Sequence, residues 1–214
     1  MQLHVLNEKI WFPPVESALE DGLLAIGGDL TTERLLFAYK KGIFPWYDGE
    51  TPLWWCPNPR FILLPDELKV SKSMKALLKK DAFDFRINKD FASVINACKT
   101  KERKDQDGTW IKDEVVHAYT ELHKLGFAHS AEAWKDGVLV GGLYGVLLGK
   151  VFFGESMFSY QSNASKYAFI KMVSHLKDQG VVLIDCQVYT EHLESLGAKM
   201  IMRQQFTHLL EQLL

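Results

Sequence analysis

Two apolar runs in the second half of the chain, separated by a helical segment, constrain the fold more than any other feature. The run KVFFGE ends at Glu155 and the run VVLIDCQ ends at Gln187, and both have the composition of buried strands. The segment between them, NASKYAFIKMVSHLKDQG, predicts a helix that ends near Gly180. Strands joined by a helix pair in parallel through a right-handed crossover. We therefore expect Glu155 and Asp185 at the carboxyl ends of neighbouring strands, where open α/β sheets bind ligands.

The polar side chains at these strand ends are the first candidates for chemistry. An ionised carboxylate in an apolar setting must be paired, hydrogen-bonded or shifted in pKa. Alternation in IDCQ predicts Asp185 and Gln187 on one face, where a carboxylate and an amide offer acceptors to an amine. In one structural alternative, these two residues only cap the following loop. In another, Glu155 caps a helix or pairs with Lys150 or Lys166.

Composition is typical of a soluble globular protein. Of the 214 residues, 47% are hydrophobic, and no apolar run approaches the roughly 20 residues that span a membrane. The segment MQLHVLNEKIWFPP lacks the basic-then-apolar layout of a signal peptide, so we expect a cytoplasmic protein without membrane association. The three cysteines have no CxxC spacing, the histidines have no metal-ligand spacing, and no phosphate-binding glycine motif is present. We expect no metal and no cofactor.

The chain divides by composition into two parts. Residues 1–62 are dense in proline, glycine and tryptophan, which predicts a small loop-rich α+β domain. Its one clear helix is LTTERLLFAYKKG, with a threonine cap and Gly42 as the stop. Residues 63–214 contain longer elements in the order helix, helix, strands, helix, strand. This order is typical of GNAT acyltransferases, so we predict an α/β fold with a GNAT-like domain over 63–214.

Two further patterns indicate contact with a nucleic acid. Four tryptophans lie in or beside Gly/Pro-rich segments, where aromatic rings can stack on unpaired bases, although a tryptophan is more often part of the core. Lysines at three- and four-residue steps line one side of a predicted helix and form a local phosphate-binding patch on a chain of net charge −2. A merely solvated helix face is the alternative for the lysines. The tryptophans are Trp46, Trp54, Trp55 and Trp110, and the central lysines are Lys72, Lys75, Lys79 and Lys80.

A series of segments in fixed order resembles the leucyl/phenylalanyl-tRNA–protein transferases, bacterial enzymes that add Leu or Phe to proteins beginning with Arg or Lys. The segments include GLLAIGGDL, LLFAYKKGIFPWY, LWWCPNPR, LVGGLYGV, FFGESMFS and LIDCQ, and they extend over nearly the whole chain. The glycine-rich pyrophosphate loop of coenzyme A users is missing after VFFGESMF, which counts against acetyl-CoA as the donor. The resemblance implies that aminoacyl-tRNA takes its place.

The resemblance also implies the reaction and its partners. Leu, Phe or Met would pass from aminoacyl-tRNA to the α-amine of an acceptor with N-terminal Arg or Lys, marking it for N-end-rule degradation. The donor ester is already activated, so neither ATP nor a metal is required, and we expect a monomer. Asp185 would draw the proton from the attacking amine, and Gln187 would align the pair. Glu155 would hold an amino group or the acceptor's basic side chain.

Roles for the remaining candidates follow from the same resemblance. Trp46, Trp110, Glu155 and Ser156 would bind the aminoacyl-adenosine. The pocket for the Leu or Phe side chain would contain Leu143, Phe152 and Met157, and the lysine helix would meet the acceptor stem. Thr190 stands where the family pattern leads us to expect Asn. The alternatives are a transferase that builds peptide bridges, an N-acetyltransferase, and a binding adaptor that performs no chemistry.

Overall fold

The smaller of two sheets lies in the amino-terminal part of the chain. A computed structural model describes residues 3–101 and 111–214. Four short strands form this sheet in the order β1-β2-β4-β3: β1 (His4–Leu6), β2 (Leu23–Gly27), β3 (Phe44–Pro45) and β4 (Leu53–Trp55). Helix α1 (Thr32–Lys40) begins after Thr31, whose hydroxyl accepts a hydrogen bond from the Arg34 backbone amide. The predicted threonine cap is confirmed.

The larger sheet has seven strands in the described residues, in the order β11-β5-β10-β9-β8-β7-β6. Its strands are β5 (Arg60–Leu63), β6 (Asp84–Ile87), β7 (Ala128–Lys135), β8 (Val138–Leu148), β9 (Val151–Ser159), β10 (Leu183–Gln187) and β11 (Lys199–Ile201). The accompanying helices are α2 (Lys72–Lys79), α3 (Phe91–Thr100), α4 (Asp113–Lys124), α5 (Ala164–Asp178), α6 (Glu191–Glu194) and α7 (Arg203–Leu213). Short 3-10 helices cover Val15–Ser17 and Pro65–Glu67.

The predicted parallel pair is confirmed and forms the centre of this sheet. Strands β9 and β10 pair in parallel, with α5 between them in the chain. Their register ends at the pair Asp185 and Phe153, so the two strands separate beyond that point. In the antiparallel pairing of β8 with β9, the register passes from Gly154 directly to Ser156. Glu155 is therefore the extra residue of a β-bulge, a device that redirects a side chain beside a functional site.

The two parts of the chain share one hydrophobic core. Tyr39 of α1 and Trp54 of β4 belong to the same buried cluster as Tyr119 of α4 and Phe153 of β9. The α/β class and the small amino-terminal part predicted from the sequence are confirmed. The expected domain boundary at residue 62 falls inside β5, which pairs with β10 and β11. Among the described helices, none has the length and apolar character needed to cross a membrane.

Candidate active site

A cavity of about 380 Å³ opens where β9 and β10 separate. Both predicted carboxylates line it, because they lie where the parallel pairing of the two strands ends. Glu155 is in the middle of β9, which continues to Ser159, and not at the end of the strand as predicted. Apolar side chains from β8, β9, β10 and α5 line another part of its wall. The polar lining includes Glu155, Ser156, Asp185 and Gln187, and the apolar lining includes Leu143, Met157, Phe169 and Ile184. The cavity therefore combines an ionisable group with room for a hydrophobic side chain.

Glu155 accepts hydrogen bonds from three side chains. Tyr39 Oη lies 2.8 Å from its Oε1, and Tyr119 Oη lies 2.9 Å from its Oε2. The Gln187 side-chain amide donates to Oε1 at 2.9 Å. Lys150 and Lys166, the basic residues near it in sequence, are not its hydrogen-bond partners in the described part of the chain. The bulge thus aims Glu155 at two buried tyrosines rather than at a lysine.

The three oxygen-bearing side chains of Tyr39, Tyr119 and Glu155 form a closed triangle, because the two phenol oxygens are also only 2.5 Å apart. Three O–H···O bonds need three protons. Two neutral phenols supply two of them, since burial and the charge of Glu155 raise the pKa of both tyrosines well above the ordinary value. When Glu155 is ionised, both phenols donate to it; when it is protonated, its carboxyl proton completes the third bond.

The surroundings of Glu155 place its ionisation near neutral pH. Burial raises its pKa to about 7, the negative charge of Asp185 adds to this effect, and the hydrogen bonds from Tyr39, Tyr119 and Gln187 oppose it. The residue is partly exposed, whereas Asp185 is fully buried. A carboxyl group that titrates near 7 and is accessible from a cavity is suited to proton transfer.

Asp185 is held in a buried ion pair with Arg60. Its Oδ1 accepts from Arg60 Nε at 2.8 Å, and its Oδ2 accepts from Arg60 Nη2 at 2.6 Å. Both side chains are at most 1% exposed. Oδ1 also accepts the backbone N–H of Gln187 at 3.0 Å. Both oxygens of this carboxylate are therefore occupied by protein donors.

Gln187 connects the two carboxylates. Its backbone amide donates to Asp185, and its side-chain amide donates to Glu155. The residue has a φ of 62°, and the register of β10 on β5 shifts between Asp185 and Gln187. A left-handed backbone is strained for a residue other than glycine, and such strain is concentrated at functional sites. The hydrogen bond from its own amide to Asp185 helps to hold Gln187 in this conformation.

Two of the three predicted pocket residues, Leu143 and Met157, line the cavity. Phe152 does not line it, because its side chain is 1% exposed within the core beside β8. Its ring occupies the space above Gly145, where an added Cβ would lie 2.5 Å from a ring atom. Phe152 therefore packs behind the cavity wall, against β8, and does not line the cavity itself. Ser156 lies on β9 next to Glu155 and also lines the cavity.

Trp46 and the four predicted lysines do not line this cavity. Trp46 is 38% exposed and packs against Trp55 with ring centroids 5.8 Å apart, so a large part of its ring faces solvent. Trp110 lies outside the described residues. The lysines of the predicted patch are all exposed, three on α2 and one at its carboxyl end, while Met74 on the same helix is buried. The lysine patch consists of Lys72, Lys75, Lys79 and Lys80.

Thr190, the departure from the family pattern, has a local structural role. It is the N-cap of α6, and its hydroxyl accepts the backbone N–H of Leu193 at 3.2 Å. Thr190 also lines the cavity. Asn and Thr are both good N-cap residues, so the substitution preserves the cap.

The sequence interpretation missed several residues that build the site. Tyr119 lies on the apolar stripe of a helix, and such a position predicts a core residue. Tyr39 occupies a similar position on α1. Arg60, at the start of an apolar strand, is the one signal that was available, because an arginine there needs a buried partner. Phe169 was assigned only to a helix, yet it forms part of the cavity wall.

Sequence models of one protein family match most of this chain. The sequence model of the family described as leucyl/phenylalanyl-tRNA protein transferase matches residues 62–211, and the model of the family's N-terminal domain matches residues 28–58. Among solved structures, a GCN5-related N-acetyltransferase-like protein from Streptococcus suis 89/1591 aligns with 83% of this chain and 68% of its own, at 12% identity and a TM-score of 0.41.

Two full-length relatives carry the same family name. The leucyl/phenylalanyl-tRNA–protein transferase of Syntrophus aciditrophicus (strain SB) is 55% identical over 213 residues, which cover 99% of this chain and 89% of the relative. That of Flavobacterium johnsoniae is 54% identical over 210 residues, which cover 98% of this chain and 99% of the relative. The chain belongs to the leucyl/phenylalanyl-tRNA–protein transferase family.

Proposed function

We propose that this chain transfers Leu or Phe, and also Met, from aminoacyl-tRNA to the N-terminal α-amine of proteins that begin with Arg or Lys. The product would be a substrate for N-end-rule degradation. Family membership supports aminoacyl transfer. The observation that carries the proposal for this site is Glu155, an accessible carboxyl group with a pKa of about 7 in a cavity that is otherwise largely apolar.

The reaction converts an ester into an amide. The acceptor's amine nitrogen attacks the ester carbonyl carbon, a C–N bond forms, and the C–O bond to the terminal ribose of the tRNA breaks. The amine gives up a proton, and the leaving ribose oxygen takes one up, so the protons balance. An α-amine has an ordinary pKa of roughly 7.7 to 8.0 and is mostly protonated at neutral pH. The enzyme therefore has to hold a neutral amine and accept its proton.

Glu155 is suited to this role. Its pKa of about 7 lies close to that of the amine, so proton transfer between them is nearly balanced. Oε1 accepts from Tyr39 and Gln187, but Oε2 accepts only from Tyr119 among the described residues. An ionised carboxylate oxygen has two lone pairs, which leaves one on Oε2 for an amine N–H. The cavity lining includes this residue, which gives an amine access to it.

Asp185, which the sequence favours as the base, is proposed here as a positioning residue. Its oxygens are committed to Arg60 and to the Gln187 backbone, and it is fully buried. It holds Gln187 so that the amide of that residue reaches Glu155. In the alternative retained from the sequence, Asp185 draws the proton itself. A ribose hydroxyl of the tRNA is a third route for the proton.

The apolar wall of the cavity is the proposed pocket for the donor side chain. Leu143 and Met157, together with Phe169 and Ile184, would surround Leu or Phe. Such a slot excludes residues branched at Cβ by shape, and one methyl group changes the binding free energy by about 1 to 3 kcal/mol. Ile-tRNA is therefore expected to be a poor donor. Transfer of Ile as efficient as that of Leu would argue against this pocket.

The tRNA itself is proposed to contact two surfaces. Trp46, with Trp110, would stack on the terminal adenosine, because base stacking on an aromatic ring is worth about 1 to 3 kcal/mol. The lysine patch on α2 would meet the phosphates of the acceptor stem. The exposure of Trp46 and of the four lysines supports this assignment.

One assay tests the proposed function. Labelled Leu-tRNA is mixed with the protein and a peptide beginning with Arg, and parallel reactions contain a peptide beginning with Ala or acetyl-CoA as donor. Label in the Arg peptide alone supports the proposal. Stable binding of tRNA without transfer would indicate an adaptor, and acetylation would indicate an N-acetyltransferase.

A second set of reactions separates the proton acceptors. Glu155→Gln and Asp185→Asn are compared with the unaltered protein in single turnovers, each with a normal donor and with a donor that lacks the terminal 2′-hydroxyl. If Glu155 accepts the proton, its variant shows the larger loss with both donors. If the unaltered protein itself becomes slow with the donor that lacks the 2′-hydroxyl, and neither variant is slow with the normal donor, the proton goes to the tRNA instead.

A further inference from the structure

A second cavity, of about 330 Å³, adjoins the candidate active-site cavity. Ser165 and His192 line both cavities, so the two cavities meet at these side chains. The volume falls within the range of about 300 to 1,000 Å³ that is typical of small-ligand sites. The proposed aminoacyl transfer gives this second cavity no role so far.

The lining of the second cavity is polar and comes from the β9–α5 connection and the first turn of α5. Besides Ser165 and His192, it consists of Ser159, Tyr160, Gln161, Ser162, Asn163 and Lys166. None of the lining residues carries a carboxylate. An anionic ligand in this cavity would therefore meet hydrogen-bond donors and one ammonium group, without a negative charge to repel it.

Tyr160 presents an exposed aromatic ring at this cavity. The residue is 54% exposed, and its ring packs against Phe158 with ring centroids 5.1 Å apart. Phe158 is only 2% exposed, so it supports the phenol ring from the protein side. A supported ring that is open to solvent is a platform on which an unpaired base can stack.

Two lysines place positive charge beside this ring. Lys166 lines the cavity itself, and Lys101 Nζ lies 5.5 Å from the centroid of the Tyr160 ring. Neither lysine forms an ion pair with a carboxylate in the described part of the chain. Lys101 is exposed and has a flexible side chain, so its ammonium group can leave the ring and bind a phosphate oxygen. Ring and lysines together offer one site for a base and one for a phosphate.

The end of the lysine patch lies close to this cavity. Tyr167, which follows Lys166 in the first turn of α5, packs against Phe83 with ring centroids 5.3 Å apart. Phe83 follows the end of α2 in the chain, and that end carries Lys79 and Lys80. A tRNA whose acceptor stem lies on α2 would therefore pass the second cavity on its way to Glu155.

Contacts on the other side of the cavity lead toward Trp46. The helix α3 ends just before Lys101, and Lys99 in its last turn pairs with Asp113 at the start of α4. The neighbouring Lys112 donates to the carbonyl of Gly49, three residues after Trp46. Contacts within the fold thus connect the second cavity with both surfaces proposed for the tRNA.

We propose that the second cavity binds the nucleotide that precedes the terminal adenosine of the donor tRNA. Tyr160 stacks on its base, and Lys166 and Lys101 hold the phosphate that joins it to the adenosine. The inference rests on the proposed aminoacyl transfer and adds a subsite to the contacts proposed for Trp46 and the lysine patch. Because every base can stack on an aromatic ring, the subsite should bind a nucleotide without reading which base it carries.

Short donors separate this subsite from the reacting end of the active-site cavity. Leucine is esterified to the 3′ position of adenosine, of adenosine 5′-phosphate, and of the dinucleotide cytidylyl-(3′→5′)-adenosine. The donors thus differ first by one phosphate and then by one nucleoside. The kcat/KM for transfer to an Arg peptide is measured with each donor, and donors are compared within one protein. The folded fraction of a variant and its rate of chemistry cancel in such a ratio.

The proteins are the unaltered chain, Tyr160→Ala, Tyr160→Phe, Lys166→Gln and Lys177→Gln, an exposed control in the last turn of α5. In the unaltered chain, the phosphate and the cytidine together should raise kcat/KM by about tenfold or more. Tyr160→Ala should lose the increase due to cytidine, whereas Tyr160→Phe should keep it. Lys166→Gln should lose most of the increase due to the phosphate and make it less sensitive to salt. Lys177→Gln should retain both increases.

Equal kcat/KM for the three donors in the unaltered chain would overturn the inference, and so would increases that survive in both Tyr160→Ala and Lys166→Gln. If these variants instead raise the KM for the Arg peptide with every donor, the cavity belongs to the acceptor and the inference is wrong. Transfer from Leu-tRNA but from no short donor would place the tRNA contacts farther from the adenosine and would also overturn it. Failure to transfer from Leu-tRNA would overturn the proposed function itself, which is a distinguishable result.

Discussion

Arg60 and Asp185 lie 125 residues apart in the sequence and form a fully buried, bidentate ion pair. The two N–O distances are 2.8 and 2.6 Å. The Arg60 guanidinium also lies between two phenylalanine rings, with Cζ 4.7 Å from the centroids of Phe44 and Phe206. One ion pair thus links β5, which follows the amino-terminal part, with β10, which ends at the cavity.

Removing one charge of this pair should destabilise the fold. Asp185→Asn leaves the Arg60 charge buried without a carboxylate, and breaking a buried pair in this way costs about 3 to 5 kcal/mol of unfolding free energy. Urea denaturation at neutral pH measures the loss. The matched control is Asp84→Asn, which breaks an exposed pair with Arg86 and should cost about 1 kcal/mol or less. Equal losses in the two variants would contradict the structural role of the buried pair.

Transfer activity should depend on the ionisation of Glu155. Glu155→Gln removes the proton acceptor and should lower kcat by about 10² to 10⁴ at pH 8. The acceptor amine also titrates, but this effect cancels in the ratio of the unaltered protein's rate to the variant's rate. Because the pKa of Glu155 is raised to about 7, this ratio should rise with pH through 7 and become constant above it. A ratio that is flat from pH 5 to 9 would exclude the proton-acceptor role.

The same carboxyl group should make the fold less stable as the pH rises. Its pKa is about 7 in the folded protein and has an ordinary value of 4.5, so the folded state binds the proton more tightly. Stability from this group is therefore present below 4.5 and is lost as the pH rises to 7, by at most about 1.4 kcal/mol per pH unit. Denaturation of the unaltered chain and of Glu155→Gln between pH 4.5 and 8 measures the difference. The exposed Glu211→Gln serves as the control: it retains Glu155 and should therefore keep the pH dependence of the unaltered chain.

The size of the cavity should control the choice between Leu and Phe. Met157→Phe adds bulk to the apolar wall, so transfer of Phe should fall relative to transfer of Leu by about tenfold or more in kcat/KM. Competition between the two charged tRNAs in one reaction gives the ratio directly. Met200→Phe, at an exposed position on the edge strand β11, should leave the ratio unchanged. An unchanged ratio in Met157→Phe would place the donor side chain elsewhere.

The lysine patch should contribute to tRNA binding through its charge. Lys75→Gln and Lys79→Gln should each raise the KM for aminoacyl-tRNA without changing the choice of amino acid. The slope of log(kcat/KM) against log salt concentration should become less steep by about one for each lysine removed. Lys135→Gln, at the exposed end of β7, is the matched control. If the salt slopes of the two patch variants match that of Lys135→Gln, the patch does not bind phosphates and is only a solvated helix face.

Local sequence patterns predicted the frame of the site. The periodicity of two apolar runs was sufficient to place Glu155 and Asp185 on neighbouring parallel strands, because the crossover rule fixes their relative direction. The partners of these carboxylates could not be predicted in the same way. Tyr39 and Arg60 reach them across 116 and 125 residues of sequence, and no local pattern encodes such contacts. The bulge at Glu155 has no local signal either, yet it decides where this side chain points.

These long sequence separations also have a consequence for biosynthesis. Tyr39 and Arg60 are made before Asp185 and Gln187. At about 5 to 20 residues per second, Asp185 follows Arg60 by roughly 6 to 25 s. A nascent chain attached to the ribosome therefore lacks the assembled site until Gln187 has been made. An enzyme that consumes the ribosome's own charged tRNA thus gains its activity only after that point of its own translation.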